Sequence, residues 1–502
     1  MNRIMTAAVD GIEAVPVRVE AEITRGLPRI DIVGLGDTAV KEAALRVRAA
    51  ILAAGQDYPD RRITLNLSPA WLRKRGSHFD LAMAVGILAA SDQVWEEALL
   101  RTAFIGELSL DGHLNGTTGV LAMVSALRDA GMKAVIVPAE NATEAALVDG
   151  IEAFEAEDLD DVIAALNGRR SLKRATRKTE GREMPQENLD YRDIKGQEQA
   201  KRAIVIAAAG GHGLLLQGSP GTGKTMLAER ISTILPPLTP EEVLEITSIY
   251  SIAGLLGKDE VITTRPFRRP GSRLTQAGLL GSGYPPRPGE VTLAHRGILY
   301  LDELPELDRS VTDALRLPLD ERVVRLNRHG VSYVYPADFL FMAAANPCKC
   351  GFYGDPKHEC TCTAADIERY RKRISGPLKD RIDLRVDLVS PEYEDLIGAE
   401  GLSSATMREA VAKAREIQAE RYRTEPFCLN GRITDRRIAV YGRMTPAAEE
   451  MLAEAYRRLV LNPRSVVKIR KLARTIADLE ESLPVTEEHL AEALQFRERG
   501  SR

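Results

Sequence analysis

The chain reads Gly218-Ser219-Pro220-Gly221-Thr222-Gly223-Lys224-Thr225 over residues 218–225, which fits the phosphate-loop pattern G-x-x-x-x-G-K-[ST]. An apolar run, Leu214–Leu216, precedes this stretch, and a helical pattern, Met226–Ile231, follows it. In this context glycines let backbone N–H groups turn inward around anionic oxygens, and the helix N-terminus adds a favourable dipole. The stretch therefore predicts a nucleotide site in which Lys224 reaches the β/γ-phosphates and the Thr225 hydroxyl ligates Mg²⁺. The alternative is a fortuitous glycine-rich turn, against which the strand–loop–helix context argues.

A second motif supplies the magnesium side of such a site. The sequence Gly297-Ile298-Leu299-Tyr300-Leu301-Asp302-Glu303 is an apolar strand that ends in two carboxylates. We expect Asp302 to hold the Mg²⁺ shell and Glu303 to polarise the attacking water, which separates hydrolysis from binding alone. Adjacent acids at a strand end are also typical of a solvated helix cap, and a helix is predicted to open near Pro305. The upstream phosphate loop favours the nucleotide interpretation.

Size and charge limit the classes of protein that remain. The chain has 502 residues, and its 68 basic and 72 acidic residues give a net charge of −4, so any nucleic-acid contact must come from local patches. It contains no run of about 18 or more apolar residues and no signal-peptide core at its start, so we expect no membrane partner. Five cysteines in so long a chain do not make a disulfide framework, which predicts a reducing, cytoplasmic setting.

Three blocks and a link are predicted along the chain. Residues 1–166 mix strands and helices and are expected to be α+β, while residues 191–390 alternate strand and helix patterns and form the α/β nucleotide unit. Residues 391–502 are mostly helical, with Ile469–Leu479 the clearest amphipathic helix. In the first block, strands are predicted at Val15–Val19, Ile63–Leu67, Ala103–Leu110 and Ala134–Val137, and helices at Thr38–Ala54, Asp80–Ala90, Val120–Ala130 and Leu159–Leu166.

The link, residues 167–190, is polar and basic. Between Arg169 and Lys178 it holds six Lys or Arg and one large apolar residue, Leu172, so it is predicted to be flexible. Two interpretations stay open: a solvated linker, or a contact with a phosphate backbone.

Four cysteines lie within fifteen positions of the nucleotide unit. Cys348-x-Cys350 and Cys360-x-Cys362 are separated by the nine residues GFYGDPKHE. Thiolates suit Zn²⁺, and paired spacing can close a tetrahedron, so the cluster predicts a structural zinc site. The C-x-C spacing is tighter than usual, His358 is a spare ligand candidate, and the alternatives are a redox pair or buried free thiols. Cys428 stands alone and is expected to be a packed thiol.

Further motifs carry a resemblance. They are, in chain order, Asp193-Ile194-Lys195-Gly196-Gln197, Pro288-Gly289-Glu290, Leu293-Ala294-His295, Leu301-Asp302-Glu303-Leu304-Pro305, Asn346-Pro347-Cys348, Ser375-Gly376-Pro377-Leu378-Lys379-Asp380-Arg381-Ile382-Asp383 and Ala473-Arg474-Thr475-Ile476-Ala477-Asp478-Leu479. Together they resemble the ComM/YifB family of magnesium-chelatase-like AAA+ ATPases over nearly the whole chain. The resemblance implies an AAA+ core at 191–390 and a helical lid at 391–502.

The same resemblance implies roles for three residues. Asn346, after the apolar strand Phe339–Ala345, matches the sensor-1 position that orients the attacking water. Arg381 is similar to the arginine finger of ring ATPases, which acts on the ATP of a neighbouring subunit and so implies a homo-oligomer, a hexamer by analogy. Arg464 matches the sensor-2 position, although Arg470 and Arg474 lie nearby. For each arginine the alternative is a surface salt bridge.

Two insertions mark this branch of the family. Residues 251–290 look like the insertion that precedes the magnesium-binding strand, and they carry Arg265, Arg268, Arg269, Arg273 and Arg287. The family carries a His-His pair where this chain has Gly271 and Ser272, so a role for those histidines does not transfer. Residues 321–335, ERVVRLNRHGVSYVY, predict a hairpin bearing Arg322, Arg325, Arg328 and His329. In a ring it would face the pore and track a phosphate backbone, unless it is an ordinary solvated hairpin.

The first block resembles the Lon-protease fold. Matching segments are Phe104-Ile105-Gly106-Glu107-Leu108-Ser109-Leu110-Asp111-Gly112 and Ala130-Gly131-Met132-Lys133-Ala134-Val135-Ile136-Val137-Pro138. Ser77 lies near the nucleophile position, but the segment Gly119–Met123, where the activating lysine belongs, has none, and Lys133 begins a strand. A serine without its base is a weak nucleophile, so we expect a non-proteolytic domain.

Three functions fit these observations. The resemblance favours an ATP-dependent DNA motor acting in branch migration of recombination intermediates during uptake of transforming DNA, with ATP and Mg²⁺ as cofactors. A chelatase-like chaperone, which inserts a metal into a tetrapyrrole or remodels a protein partner, would use the same nucleotide core. An ATP-dependent protease is disfavoured by the missing lysine.

Overall fold

The protein, a computed structural model, is described over residues 3–177, 189–258, 260–284, 286–328, 330–390 and 401–497. It is a mixed α/β chain, with an eight-stranded sheet near its start, a five-stranded parallel sheet in its middle and helices at its end. No helix in these ranges is both long and apolar enough to span a bilayer.

The first unit contains a mixed sheet of eight strands and a separate pair of short strands. The strands of this unit are β1 Arg3–Asp10, β2 Glu13–Thr24, β3 Arg29–Val33, β4 Arg62–Ser68, β5 Thr102–Phe104, β6 Glu107–Leu108, β7 Leu114–Asn115, β8 Ala134–Pro138, β9 Glu152–Ala156 and β10 Lys173–Arg174. The large sheet has the order β10-β9-β8-β5-β1-β2-β4-β3, and β6 pairs with β7. Its helices are α1 Thr38–Ala53, α2 Asp80–Ala90, α3 Glu96–Leu99, α4 Val120–Asp129, α5 Ala142–Ala145 and α6 Leu159–Leu166.

The elements predicted for this unit are confirmed, with one difference. The single strand expected over Ala103–Leu110 is divided into β5 and β6 because the backbone turns at Gly106, where φ is 157°. A Cβ at Gly106 would lie 2.6 Å from Cδ1 of Leu114, so only glycine fits this turn.

The middle unit contains the five-stranded parallel sheet and two separate strand pairs. The strands of this unit are β11 Leu214–Gly218, β12 Phe267–Arg268, β13 Gly281–Gly283, β14 Pro286–Pro288, β15 Ile298–Leu301, β16 Val323–Arg328, β17 Val331–Pro336, β18 Leu340–Ala345 and β19 Leu384–Leu388. The parallel sheet has the order β12-β15-β18-β11-β19, while β13 pairs with β14 and β16 with β17. Its helices are α7 Glu198–Gly210, α8 Lys224–Glu229, α9 Pro240–Ala253, α10 Gln276–Leu280, α11 Glu290–Leu293, α12 Arg309–Ala314, α13 Arg316–Glu321, α14 Ala364–Arg371 and α15 Gly376–Lys379.

The sheet order places the site. The strands β15 and β18 are buried along their whole lengths, as expected of central strands covered by helices on both faces. Since β15, β18 and β11 are adjacent and parallel, their carboxyl ends meet at one edge. Ligands of open α/β sheets bind at that edge. The phosphate loop follows β11, Asp302 follows β15, and Asn346 follows β18.

The last unit is helical in its described part, which begins at residue 401; residues 391–400 of the predicted lid lie outside it. Its helices are α16 Ser404–Arg421, α17 Ile438–Tyr441, α18 Pro446–Arg458, α19 Pro463–Leu479 and α20 Glu487–Gln495. The helix predicted over Ile469–Leu479 is the buried half of α19, where Leu472, Ala473, Ile476 and Ala477 join the core of the nucleotide unit.

The first unit packs against the insertion of the nucleotide unit. The N–H of Gly119, before α4, donates to Oγ of Ser251 in α9 at 2.9 Å. The Arg75 guanidinium donates to the Tyr284 carbonyl and lies 4.0 Å from the centroid of that ring. Ile12, in the β1–β2 turn, packs against the apolar cluster under the hairpin β16–β17. The two units are therefore in direct side-chain contact.

The basic link differs from the expected flexible segment over residues 167–177. Lys173 and Arg174 form β10, which pairs with β9. Backbone pairing with β9 and the burial of Ala175 in an apolar cluster hold this stretch. Exposed ion pairs accompany the pairing: Lys173 contacts Glu155 at 2.6 Å, and Arg174 contacts Glu152 at 3.1 Å. Arg170 and Arg177 also pair, with Asp161 and Asp149. Residues 178–188 of the link lie outside the described ranges.

Candidate nucleotide site and cysteine cluster

The phosphate loop has the conformation that its sequence predicts. Gly221 and Gly223 adopt φ values of 81° and 86°, in the region that favours glycine. A Cβ at either position would meet no atom within 4 Å, so there is room beside both residues for a phosphate group. Inside the loop, the Thr222 hydroxyl donates to the Ser219 carbonyl at 2.9 Å and fixes the turn. The residues present therefore fit a nucleotide phosphate.

Lys224 joins the loop to the end of β18. Its Nζ donates to the carbonyls of Gly218 and Ser219 at 2.7 and 2.9 Å, and to Oδ1 of Asn346 at 3.2 Å. Burial lowers the pKa of Lys224, and the carboxylates of Asp302 and Glu303 oppose that shift. The structure thus brings the predicted phosphate-binding lysine and the predicted sensor-1 asparagine into contact.

The magnesium side of the site is assembled as well. The Thr225 hydroxyl donates to Oδ2 of Asp302 at 3.2 Å, and the N–H of Glu303 donates to Oδ1 of Asp302 at 3.0 Å. A hydroxyl and a carboxylate are the oxygen ligands that Mg²⁺ prefers, so this pair fits the metal. Glu303 is exposed and has a φ of 47°, unusual for a residue with a side chain. Strained backbone of this kind clusters at functional sites.

The two predicted catalytic arginines lie together, and their contacts are with other residues than the phosphate loop. The Arg381 guanidinium binds the carboxylate of Asp320 and donates to the carbonyl of Pro377 at 2.5 Å. Arg464 contacts the same Asp320 at 3.8 Å and Asp380 at 4.0 Å. Both arginines therefore sit on one acidic patch. Their roles as finger and sensor 2 stay predictions.

The neighbouring candidates for sensor 2 have structural partners. Arg474 is 2% exposed and donates to Asp478 at 2.9 Å, while Arg470 pairs with Glu449. Arg464, by contrast, shares the carboxylate of Asp320 with Arg381.

A buried histidine holds the turn that carries Arg381. His212 is fully buried; its Nδ1 lies 3.1 Å from Oδ2 of Asp383, and its Nε2 lies 2.8 Å from Oγ1 of Thr475 in α19. The Asp383 N–H donates to the carbonyl of Gly213 at 2.9 Å. The local sequence around His212 predicts no role for it, because its partners Asp383 and Thr475 are distant in the chain. It ties the lid helix to the Asp-Arg-Ile-Asp turn.

The four clustered cysteines have their sulfur atoms together. All four Sγ atoms lie within 4.8 Å of one another, and those of Cys348, Cys350 and Cys360 are 3.3–3.7 Å apart. A Zn–S bond of about 2.3 Å places tetrahedral sulfurs about 3.8 Å apart, so the set fits a zinc ion. His358 is turned away to Asp355, 3.1 Å distant. Cys428 is exposed, so the expectation of a packed thiol is wrong.

The loop that carries the cysteines contacts the phosphate loop. A Cβ at Gly351 would lie 2.8 Å from Cδ of Pro220, a close approach that requires glycine. Hydrogen bonds to Asp355 from the Ser219 hydroxyl and from the Lys357 N–H lower the pKa of Asp355 to about 2. The loop that carries the cysteine cluster therefore packs directly against Pro220 and Ser219 of the phosphate loop.

The predicted hairpin is present as β16 and β17. Arg325 and Arg328 are exposed on it; His329 lies outside the described residues. Arg322, which was expected to decorate the hairpin, instead precedes it and turns to Asp338 at 3.8 Å, where burial lowers its pKa. Tyr335 is buried at the hairpin base, where its hydroxyl donates to the carbonyl of Pro286.

Arg269, one of the arginines of the insertion, contacts Asp302 at 3.0 Å, a partner that its sequence position gave no reason to expect. In the first unit, the Ser77 hydroxyl donates to the Glu107 carboxylate. In the described part of the chain, Ser77 is thus hydrogen-bonded to an acid and not to a lysine that could activate it. Lys74 donates instead to the carbonyl of Pro69.

Comparisons with known proteins agree with this geometry. Three family descriptions match: "Magnesium chelatase, subunit ChlI" over residues 190–396, "Subunit ChlI of Mg-chelatase" over 19–141, and "Magnesium chelatase, subunit ChlI C-terminal" over 401–497.

Similar full-length proteins come from several bacteria. An uncharacterized protein of Mycobacterium tuberculosis is 42% identical over 504 residues, covering 100% of this chain and 99% of that protein. YifB of Salmonella typhimurium is 40% identical over 496 residues, covering 98% and 96%. Competence protein ComM of Haemophilus influenzae is 39% identical over 499 residues, covering 98% and 97%. With a phosphate loop and its acidic partners assembled at one sheet edge, the chain belongs to the ComM/YifB family of magnesium-chelatase-like AAA+ ATPases.

Proposed function

We propose that this protein is a ring-forming DNA motor, a branch-migration helicase that acts on recombination intermediates in natural transformation. One observation carries the proposal: the arginine-bearing hairpin β16–β17 lies in the chain between β15, which ends at Asp302, and β18, which ends at Asn346. The chain joins the hairpin to β15 through α12 and α13 and to β18 through residues 337–339, so a change at either strand during ATP hydrolysis can be passed along the chain to the hairpin. The chain thus links nucleotide chemistry to a basic, exposed element.

The hairpin has the chemistry for a phosphate backbone. Arg325 pairs with Glu321 at 3.2 Å, and the Arg328 guanidinium donates to the carbonyl of Asn327, also at 3.2 Å. These exposed contacts are weak and can be exchanged for phosphate oxygens. Val331 and Val334 are each 42% exposed on the same hairpin, which adds apolar surface beside the charges. Contacts of this kind bind the backbone of a DNA strand without depending on its base sequence.

The position of Arg381 supports the proposal of a ring. In AAA+ enzymes a finger of this kind completes the site of the adjacent subunit, and the contacts of Arg381 are with Asp320 and Pro377 rather than with the phosphate loop of its own chain. We propose a homohexamer. The similar protein of Haemophilus influenzae is named a competence protein, which supports a role in the uptake of DNA.

A chelatase-like chaperone is the second candidate, and the three family descriptions favour it. It would use the same ATP site to drive metal insertion into a tetrapyrrole, or to remodel a protein partner. DNA stimulation of ATP hydrolysis separates the two candidates.

DNA is expected to raise the rate of ATP hydrolysis severalfold. The measurement is steady-state ATPase of wild type and Lys224→Ala with single-stranded, duplex or four-way-junction DNA, or none. The variant should be inactive throughout because Lys224 is the phosphate-binding amine. In Arg325→Ala/Arg328→Ala, DNA stimulation should be lost and the slope of DNA affinity against salt should fall by about one to two units.

An ATPase that is active in wild type but indifferent to every DNA would contradict the motor. Stimulation by an unfolded protein or by a porphyrin-loading partner would instead favour the second candidate. If DNA still stimulated the ATPase of Arg325→Ala/Arg328→Ala, the DNA contact would have to lie elsewhere on the chain.

We also propose that the four cysteines hold one structural zinc ion, which at its site supplies a fixed tetrahedral crosslink. The purified protein should contain about one zinc per chain, measured by elemental analysis. In Cys360→Ser/Cys362→Ser the metal should be lost, and ATP affinity should fall because the loop supports Pro220 and Ser219. Cys428→Ser, outside the cluster, is the matched control. Full zinc content in the double variant would refute the assignment.

A further inference from the structure

An arginine of the insertion bridges two elements of the nucleotide site. Arg269 follows β12, the edge strand paired with β15, and its Nη2 donates to Oδ2 of Asp302 at 3.0 Å. Its Nη1 donates to Oε1 of Glu229, the last residue of α8, at 3.0 Å. The guanidinium also lies 5.8 Å from the centroid of the Tyr300 ring. One side chain thus connects the insertion to α8 and to the end of β15.

The atom at issue is Oδ2 of Asp302. It accepts both the Arg269 guanidinium and the Thr225 hydroxyl, while Oδ1 accepts the N–H of Glu303. Thr225 and Asp302 are the oxygen donors that fit Mg²⁺ at this site. A carboxylate that is paired with a guanidinium offers less negative potential to a second cation, and two cations near one oxygen repel each other.

We propose that Arg269 competes with Mg²⁺ for Asp302 and thereby sets the Mg²⁺ concentration that ATP binding requires. Arg269 is a positioning residue here, because it acts on the site through Asp302. Glu229 gives the guanidinium a second anchor, so Arg269 can leave Asp302 without being left unpaired. Release of Asp302 also frees one attachment of the insertion, which makes the insertion responsive to the metal. This inference rests on the assignment of Thr225 and Asp302 to the magnesium side, and is independent of action on DNA.

The exposure of the groups sets the size of the effect. The side chains of Arg269, Glu229 and Asp302 are 42%, 39% and 27% exposed, so water and salt screen the ion pairs. Exposed pairs shift equilibria modestly, by about two- to fivefold. The contribution of Arg269 should therefore be measurable at low salt and shrink as salt is raised.

The test measures binding rather than turnover. A fluorescent, non-hydrolysable ATP analogue is titrated into the full-length protein at a series of free Mg²⁺ concentrations. In Arg269→Gln, the Mg²⁺ concentration that gives half-maximal binding should fall by about two- to fivefold at low salt. Glu229→Gln, which removes the second anchor, should leave the arginine on Asp302 and not lower the Mg²⁺ requirement. Arg273→Gln, which removes one positive charge from the same insertion, is the matched control and should behave as wild type.

The other results each overturn the inference. An unchanged Mg²⁺ requirement in Arg269→Gln would show that the ion pair does not oppose the metal. If Arg269→Gln bound the ATP analogue more weakly than wild type in excess EDTA, with an unchanged Mg²⁺ requirement, Arg269 would be a phosphate ligand. If the Mg²⁺ requirement fell equally in Arg273→Gln, the effect would come from the loss of any positive charge and not from the pair between Arg269 and Asp302. If wild type itself bound the analogue without any Mg²⁺ dependence, the magnesium-side assignment would fail first.

Discussion

Replacement of Arg381 by alanine is expected to lower the rate of ATP hydrolysis by about 10³- to 10⁵-fold while ATP binding changes little. The reason is positional. A guanidinium stabilises charge on the transferred phosphoryl group, yet Arg381 contacts Asp320 and Pro377 and not the phosphate loop of its own chain. If the arginine serves the adjacent subunit, each chain keeps its own binding site intact. The measurements are steady-state ATPase and equilibrium ATP affinity.

Mixed assemblies make this prediction specific. Lys224→Ala removes the phosphate-binding amine of one chain but leaves its Arg381, whereas Arg381→Ala does the reverse. When the two inactive variants are mixed before assembly, some interfaces combine an intact loop with an intact arginine, so activity should return. Mixtures that stay inactive would argue that Arg381 acts within its own chain or only stabilises the fold.

A matched variant separates a specific role from loss of charge. Arg369, on α14, is 80% exposed and pairs with Asp366, three residues earlier on the same helix. Arg369→Ala removes a guanidinium from an earlier helix of the same unit and leaves the Asp-Arg-Ile-Asp turn unchanged. Its ATPase should stay within about twofold of wild type, because exposed ion pairs of this kind contribute little.

The parts of the site that sequence predicts are those tied to strand ends. The phosphate loop, Asp302 and Asn346 each follow an apolar strand directly, and adjacent parallel strands bring their carboxyl ends to one edge. Local patterns also place the hairpin and the cysteine pairs, because turn residues and ligand spacing are read within about fifteen positions. The order of the strands was not needed for these predictions.

The parts that sequence misses depend on charged side chains finding distant partners. Arg269 meets Asp302 across 33 positions, and His212 meets Thr475 across 263. A run of arginines does not reveal which member will be held by which carboxylate. The basic link illustrates the same limit, since its composition predicts flexibility, while Lys173 and Arg174 pair with acids of β9.

Glu303→Gln should strongly slow ATP hydrolysis and preserve ATP binding. Glutamine keeps the size of glutamate and most of its hydrogen bonds, but it cannot take up a proton or carry the charge that polarises water. General-base catalysis of this kind contributes about 10²- to 10⁴-fold, so the turnover rate should fall by that factor. Glu303 is exposed, and its N–H supports Asp302, a bond that the substitution leaves in place. Mg²⁺-dependent affinity for ATP should therefore change by less than about threefold, an effect in keeping with a loss confined to the transition state.

A comparison with Asp302→Asn tests the division of labour between the two acids. Asp302 receives the Thr225 hydroxyl and is the carboxylate on the magnesium side, so its amide variant should lose the Mg²⁺ dependence of ATP binding itself. Glu303→Gln should instead retain ATP and, in a DNA motor, remain on DNA without moving along it. If both variants weakened binding equally, or if Glu303→Gln turned over at the wild-type rate, the two carboxylates would not have separate roles. Binding and turnover must therefore be measured on the same preparations, because only their ratio distinguishes a lost base from a lost metal ligand.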